Sequence, residues 1–181
     1  DKETTSIGIE ASLTGHLVFS TLHTNSAPES ITRLLDMGMD PFNFADAVLC
    51  IMAQRLVRTL CKTCKRKYHP SKEEFDELVR EYGSEEEFKK NLGIEYTDDL
   101  ELYKPEGCDL CSNTGYRGRM GIHELLMGSD EIKRMIQTKQ EVAAIRRQAA
   151  SEGMTSLKQD GIEKVFAGHC DLFQVRKVCI Q

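Results

Sequence analysis

The hydrophobic pattern of the chain predicts strands in three places. Residues 16–22 form a short apolar run with β-branched and aromatic side chains directly after Gly15, which is typical of a buried strand. Residues 54–60 alternate polar and apolar positions, and residues 117–127 return to a strand pattern later in the chain. Segments with helical periodicity separate these runs, so the first part of the chain indicates alternating strands and helices.

Helical periodicity and capping residues predict the remaining elements. One helix starts at a capping Ser26, has Pro28 in its first turn and stops at Gly38. The other predicted helices are 3–13, one beginning at Pro41, 71–82 with a capping box, 84–92, 129–137, 139–152, 155–167 and 171–178. The residues expected to face inward are Phe42, Ala45, Val48, Leu49 and Met52 after Pro41, and Phe75, Leu78 and Val79 in 71–82. The late part is helical, which predicts an α/β core with a helical tail.

Composition places the chain among ordinary globular proteins. Of its 181 residues, 40% are apolar and 29% are charged, which is enough for one sizeable core or a core with a small satellite. Seven cysteines is an odd number, so a fully paired disulfide framework within one chain is excluded, and a reducing, cytoplasmic compartment fits best. Cys50 and Cys179 lie in apolar surroundings and are expected to be small buried residues.

Charge is unevenly distributed along the chain. The net charge is −5, and residues 71–101 alone hold twelve acids against four bases, a net −8. Residues 55–67 hold six bases and no acid, which suggests nucleic acid as one interpretation. The other interpretation is a solvated surface that offsets a neighbouring thiolate cluster, and the pI of 5.6 favours it.

Two C-x-x-C pairs, Cys61/Cys64 and Cys108/Cys111, predict a metal site. Each such turn presents two sulfurs to one point, and a tetrahedral zinc ion takes four thiolate ligands. The 43 residues between Cys64 and Cys108 exceed the usual spacing of a compact zinc ribbon. Two unrelated pairs of reduced thiols therefore stay open as the alternative.

Four stretches of the sequence carry a family resemblance: residues 11–25, 31–42, 53–61 and 115–126. They resemble segments of the secretion ATPases, the hexameric motors of type II secretion and type IV pilus assembly, and residues 11–25 are similar to the histidine box of that family. The paired cysteines are similar to the four-cysteine zinc module of its assembly and secretion motors. The resemblance implies a cytoplasmic ATPase, peripheral to the bacterial inner membrane, that powers one of these two processes.

The resemblance also implies a fold and a division of the chain. The fold is expected to be α/β, the C-terminal part of a RecA-like ATPase domain with an inserted four-cysteine module and a helical C-terminal tail. Residues 1–60 would belong to the RecA-like core. Residues 61–115 would form the zinc module, with an acidic helical insertion at 71–101, and residues 116–181 a strand followed by helices.

One motif of the family is missing. Its phosphate-binding loop, G-x-x-x-x-G-K-[ST] or Walker A, occurs nowhere in the 181 residues. The resemblance places Asp1 at the end of the acidic second nucleotide motif, so the chain is expected to be a C-terminal fragment that starts just after the Walker B region. The intact parent would hydrolyse ATP with Mg²⁺, and this chain alone would be inactive.

The resemblance assigns roles to individual residues. The resemblance implies that His23 and His16 are catalytic in the intact motor and that His23 lies near the γ-phosphate. His23 also follows the predicted strand 16–22, and α/β sheets bind ligands at the carboxyl ends of their strands. Arg119 and Arg33 are expected to contact nucleotide or a neighbouring subunit, since guanidinium groups suit phosphate and carboxylate. A structural histidine and ordinary surface arginines are the plainer alternatives.

The implied partners are five further copies in a homohexamer, ATP, and an inner-membrane platform protein, with no nucleic acid expected. Zinc is the implied structural cofactor, held by the four cysteines. Two other functions remain open from the residues alone. One is a free-standing zinc module for nucleic acid or a protein partner, and the other is a dithiol redox protein, which needs an accessible cysteine of low pKa.

Overall fold

The computed structural model describes residues 1–179 as a mixed α/β protein. The helices among these residues are α1 Lys2–Leu13, α2 Ala27–Asp36, α3 Pro41–Ala47, α4 Lys72–Tyr82, α5 Glu85–Leu92, α6 Asp130–Gln137, α7 Val142–Ser151, α8 Leu157–Phe166 and α9 Leu172–Val178. The strands are β1 Cys50–Leu60, β2 Arg66–Tyr68, β3 Leu102–Lys104 and β4 Tyr116–Met127, with a 3₁₀ turn at Asp109–Cys111. No helix in the described part of the chain is both long and apolar enough to cross a lipid bilayer.

The four strands form two separate ladders, β1 with β4 and β2 with β3. Near one end of the first ladder the N–H of Gly128 donates to the carbonyl oxygen of Leu49 at 2.8 Å. Near the other end the hydroxyl of Thr59 donates to the carbonyl oxygen of Arg117 at 2.7 Å, so β1 and β4 run antiparallel. The second ladder is antiparallel and pairs Lys67 with Tyr103 at its centre.

The chain divides into two compact units, each built from two stretches. The first unit holds residues 1–53 and 124–155, and the second holds residues 54–123 and the chain from Ser156 onward. The predicted division at 1–60, 61–115 and 116–181 groups residues by expected role and stays a prediction.

Aliphatic side chains form the core of the first unit. Ser26 caps α2 by accepting a hydrogen bond from the N–H of Glu29 at 3.4 Å, and Pro28 lies in the first turn, as the sequence predicts. Full burial of one valine, leucine, isoleucine, phenylalanine or methionine side chain stabilises a fold by about 1.5–3 kcal/mol. The buried members of this core are Ala27, Ile31, Met39, Phe44, Ala45, Val48, Leu126, Ile132, Ile136, Ile145 and Ala149.

Aromatic side chains form the core beneath the acidic helices of the second unit. Phe75 meets the ring of Phe88 edge-on at 5.7 Å between centroids, and Phe166 lies within 6.3 Å of Phe75. The capping box predicted for α4 is present, and Phe75, Leu78 and Val79 are buried as expected. The insertion at 71–101 therefore buries an apolar face against α8 of the same unit although its net charge is strongly negative.

The predicted buried strand at 16–22 is wrong for the described chain. These residues carry no regular secondary structure, and Leu17 and Phe19 are 69% and 87% exposed. A strand requires a neighbour to satisfy its backbone N–H and C=O groups, and neither ladder includes this segment. Residues 16–22 therefore have the apolar composition of a buried strand, but residues 1–179 provide neither a strand that pairs with this segment nor side chains that bury Leu17 and Phe19.

The boundary between α3 and β1 also differs from the prediction. The helix ends at Ala47 and the strand begins at Cys50, so Leu49 and Met52 are exposed rather than buried. Phe42 is exposed as well, because Phe44 takes the inward position of the short helix. Cys50 is exposed, which contradicts its predicted burial, and Cys179 is only partly buried.

Candidate metal centre

Both C-x-x-C pairs lie in tight turns that aim their sulfurs together. Cys61 follows β1, and its carbonyl oxygen accepts hydrogen bonds from the N–H groups of Cys64 and Lys65 at 3.3 and 2.9 Å. Cys108 precedes the 3₁₀ turn that ends at Cys111, whose N–H donates to the carbonyl oxygen of Cys108 at 3.1 Å. Each turn thus holds its two side chains on one side.

The intervening chain brings the two turns together. It leaves through β2 and returns through β3, and the register of this ladder pairs Arg66 with Lys104. The N–H of Cys61 donates to the carbonyl oxygen of Gly115 at 2.9 Å, which joins the first turn to the end of the second. Gly115 has φ 76, and a Cβ at this position would collide with Pro105, so only glycine fits there.

The four sulfurs have the spacing of a tetrahedral metal site. All four Sγ atoms lie within 4.8 Å of one another, and three separations are 3.9 Å for Cys61–Cys108, 3.8 Å for Cys64–Cys111 and 3.7 Å for Cys108–Cys111. A zinc ion with bonds of about 2.3 Å to four sulfurs places those sulfurs about 3.8 Å apart. These separations are too long for disulfides. The four cysteines therefore could hold one metal ion, and among residues 1–179 they form the cluster suited to it.

Backbone N–H groups point at the sulfurs. Gly107 donates to Cys64 Sγ at 3.4 Å, and Cys108 and Gly115 donate to Cys111 Sγ at 3.2 and 3.3 Å. Desolvation acts to raise the pKa of the Cys111 thiol, but these N–H groups and the neighbouring thiols outweigh it and lower the pKa to about 6. Such donors stabilise thiolates, which are the form that binds a metal.

The same cluster opposes a full set of thiolates without a cation. Desolvation and the neighbouring sulfurs raise the pKa of the Cys64 thiol to about 12. Four negative charges within this distance repel one another, so a full set of thiolates is favoured only when a metal ion compensates the charge. The donor set is therefore matched to a divalent cation.

The basic run beside the cluster is largely engaged. The Nζ of Lys65 donates to the carbonyl oxygen of Gly168 at 2.8 Å and lies 4.1 Å from the centre of the Tyr103 ring. Lys67 pairs with Glu101 at 2.6 Å, and Arg66 pairs with Glu106 at 3.5 Å. These side chains connect the cysteine turns to neighbouring segments of the second unit.

The predicted histidines both lie in the first unit, within the exposed segment that follows α1. The Nδ1 of His16 lies 3.2 Å from the carbonyl oxygen of Ala11 and 3.3 Å from the hydroxyl of Thr14. His23 is exposed, four residues before α2, and no hydrogen bond joins its ring to another side chain or backbone group in the described chain. The catalytic roles of the two histidines stay predictions.

The predicted arginines are both exposed. Arg33 lies in the last turn of α2 in the first unit, and Arg119 lies on β4 in the second unit. Neither guanidinium group forms an ion pair within residues 1–179. Their contacts with nucleotide or a neighbouring subunit stay predictions.

The sequence interpretation assigned no role to Glu124. Its side chain is only 3% exposed, and its Oε1 accepts a hydrogen bond from the N–H of Ala27 at 2.8 Å. The alternation of β4, which buries Ile122 and Leu126, places position 124 on the same inner side. The sequence signal that could have identified Glu124 is an acidic residue between Ile122 and Leu126, on the side of the predicted strand that carries the apolar residues.

These features define a mixed α/β protein with a four-cysteine cluster that could hold a metal ion, and comparison with known families identifies its class. The chain belongs to the family of type II/IV secretion system proteins, whose model matches residues 1–177.

Individual relatives come from both branches of this family. The chain is 40% identical over 178 residues to the type II secretion system protein E of Aeromonas hydrophila and equally to the type II secretion system ATPase E of Vibrio cholerae. It is 42% identical over 176 residues to the type IV pilus assembly ATPase PilB of Thermus thermophilus. These alignments cover 97–98% of the chain but only 32%, 32% and 18% of the relatives, so the chain spans about a third or less of their length.

Proposed function

We propose that this chain is part of a motor ATPase that hydrolyses ATP to power type II secretion or type IV pilus assembly. One observation carries the proposal: the family model matches residues 1–177, and relatives about 40% identical over nearly the whole chain are named as ATPases of these two systems. The rest of the catalytic machinery would lie in parts of the full-length protein outside these 181 residues, which hold no phosphate-binding loop.

The chain would contribute the C-terminal portion of a RecA-like domain. The exposed apolar segment at 16–22 supports this assignment, because Leu17 and Phe19 have the composition of a buried strand and lack a pairing neighbour. In the full-length protein this segment would join a larger sheet. That pairing would bring His23 to the carboxyl end of a strand, where α/β folds bind their ligands.

His23 would act on the transferring phosphoryl group. Its exposed ring is free to donate an N–H to oxygens on which negative charge develops in the transition state. His16, whose ring already contacts Ala11 and Thr14, would orient the start of the same segment. Mg²⁺ neutralises phosphate charge in such reactions, and the ATP-bound site would also receive Arg33 or Arg119 from the same or a neighbouring subunit.

The four cysteines would hold a structural zinc ion. Four thiolates fill a tetrahedral shell and leave no open position for a substrate or water, so the ion would stabilise the fold rather than take part in hydrolysis. The separations of 3.7–3.9 Å between sulfurs support zinc at this position. The ion would join the two ends of the acidic insertion at 71–101.

The remaining features of the proposal concern assembly. The motor would be a homohexamer at the cytoplasmic face of the bacterial inner membrane, acting on a platform protein in that membrane. Both the hexamer and the platform partner follow from the family resemblance.

The direct test is steady-state hydrolysis by the full-length protein. We expect Mg²⁺-dependent release of phosphate from ATP that is lost when the lysine of its phosphate-binding loop is changed to alanine. In a host that lacks the gene, the wild-type protein should restore secretion or pilus assembly, and the lysine variant should not. Absence of hydrolysis in a well-folded full-length protein would contradict the proposal. Salt-sensitive binding to DNA or RNA would favour the nucleic-acid module instead.

A further inference from the structure

The start of α2 is held by contacts from distant parts of the first unit. His23 lies four residues before α2 in a segment without regular secondary structure, so its neighbour Thr24 is the residue that connects it to the first turn of the helix. Within this turn the hydroxyls of Thr24 and Ser30 lie 2.6 Å apart, and Thr24 also donates to the carbonyl oxygen of Ser26 at 3.3 Å. The position of His23 therefore depends on how the first turn of α2 is fixed.

Glu124 makes the buried contact to that turn. Its Oε1 accepts the N–H of Ala27 at 2.8 Å across 97 residues of sequence, from the inner side of β4. Ala27 is itself fully buried. A buried carboxylate is costly unless it is hydrogen-bonded, and the unpaired N–H groups and positive dipole end of a helix are a favourable environment for it.

Glu124 is unlike the other acid at this helix start. Glu29 belongs to α2 itself and its side chain is 40% exposed. Its carboxylate oxygen lies 3.9 Å from the guanidinium group of Arg146. Glu124 forms no ion pair with a lysine or arginine within residues 1–179. Its contact with the N–H of Ala27 is therefore what its buried position provides to the neighbouring structure.

We propose that Glu124 is a positioning residue for ATP hydrolysis, which fixes the first turn of α2 and thereby the placement of His23. This inference rests on the proposed function, since it assigns to Glu124 an effect exerted through a histidine of the motor. Glu124 does not touch the phosphates. It sets the angle at which the exposed segment 16–23 enters the helix, and displacement of a catalytic group by about 1 Å can cost 10²-fold in rate.

The test is a double-mutant cycle in the full-length protein with His23→Ala, Glu124→Ala and the two combined. We expect Glu124→Ala to lower kcat by roughly 10- to 10²-fold with little change in KM for ATP. If Glu124 acts through His23, the double variant should turn over within about 2-fold of His23→Ala alone, because removal of the histidine leaves nothing to misplace. Multiplied losses in the double variant would overturn the inference.

Two substitutions separate positioning from stability. Glu124→Gln keeps the length of the side chain and an oxygen that accepts the N–H of Ala27, so its kcat should stay near the wild-type value. Glu124→Asp keeps the charge but is one methylene shorter, so it should behave like Glu124→Ala. Glu131→Gln is the matched control, because Glu131 lies in the first turn of α6 with a side chain 43% exposed. This control should retain wild-type kcat.

Hydrogen exchange adds a readout that does not depend on ATP hydrolysis. Peptides that cover 23–30 should exchange faster in Glu124→Ala than in wild type, while peptides from α6 should not. Unchanged exchange there and wild-type kcat would contradict the inference while leaving the ATPase proposal intact. If Glu124→Ala does not fold, Glu124→Asp carries the test. Loss of folding in both would assign Glu124 to stability alone and contradict the positioning role. A wild-type protein without ATPase activity would instead overturn the proposed function.

Discussion

The sulfur of Cys64 lies 3.8 Å from the sulfur of Cys111, although 46 residues separate the two cysteines in the sequence. This distance matches the edge of a tetrahedral zinc–thiolate site, about 3.8 Å, and exceeds any disulfide. The contact depends on a loop closed by the β2–β3 ladder, so the acidic insertion and the cysteine cluster stabilise one another.

We expect one zinc ion per chain. Zinc ligation contributes on the order of 10 kcal/mol when it orders a disordered peptide, so Cys64→Ser should lose the ion and melt at a lower temperature. Cys50→Ser is the control, because Cys50 is exposed and starts the strand β1 that leads to Cys61 at its other end, and it should keep the ion. Metal analysis of protein purified without added zinc is the measurement. Well under half an equivalent in the wild-type chain would contradict the assignment.

Lys65 should stabilise the second unit more than its neighbours in the basic run do. Its Nζ donates to the carbonyl oxygen of Gly168 at 2.8 Å and lies over the Tyr103 ring. Lys65→Met keeps much of the aliphatic chain but removes both interactions, and should lower the free energy of unfolding by about 1–2 kcal/mol. Lys62→Met changes an exposed lysine in the same turn and should have little effect. Equal denaturation midpoints for the two variants would refute this role.

Glu81 should make stability depend on pH below neutrality. Hydrogen bonds from Lys158 and then Arg176, at 2.9 Å each, lower the pKa of its carboxyl group, so the folded state holds the charged form more strongly than the unfolded state does. The resulting stability is present above the unfolded pKa and is lost as pH falls through the lowered folded pKa.

The comparison that tests this is urea unfolding of wild type and Glu81→Gln over a range of pH. At about pH 7 the variant should be less stable by about 1 kcal/mol, and the difference should shrink toward zero near pH 3. Glu85→Gln, at an exposed acid in the first turn of α5, should follow the wild-type pH profile. A difference for Glu81→Gln that stays constant with pH would show that its charge is not what stabilises the fold.

The 181-residue chain alone should not hydrolyse ATP. It contains no G-x-x-x-x-G-K-[ST] loop, and the lysine and backbone N–H groups of that loop supply much of the stabilisation of the transferring phosphoryl group. Phosphate release should equal that of a protein-free blank. A rate above the blank that disappears when a residue of this chain is changed would contradict the expectation.

Local signals in the sequence predicted the elements that depend on neighbouring residues. Ser71 and Glu74 form the expected capping box of α4, because both members lie within one helical turn. The spacing of the cysteines predicted their convergence despite the long insertion, since each C-x-x-C turn fixes two sulfurs locally. The same reasoning predicted the starts of α2 and α6 at their capping residues Ser26 and Ser129.

The failures have a common physical origin in contacts between distant segments. Residues 16–22 have the composition of a buried strand, but a strand depends on a partner that no local pattern specifies. Cys50 lies in an apolar run yet is exposed, because it is the first residue of β1 and falls on the side of that strand whose alternate positions are exposed. Glu124 joins Ala27 across 97 residues, and the period of β4 predicts only that it faces inward.

The most direct test of the account is steady-state kinetics of the full-length protein with His23→Ala. A histidine that assists the transition state should lower kcat by about 10²-fold or more when removed, with KM for ATP nearly unchanged and a melting temperature close to that of wild type. A structural histidine predicts the opposite: a lower melting temperature and near-normal kcat in the protein that stays folded. Near-normal kcat in a well-folded, assembled variant would contradict the role of His23 in turnover.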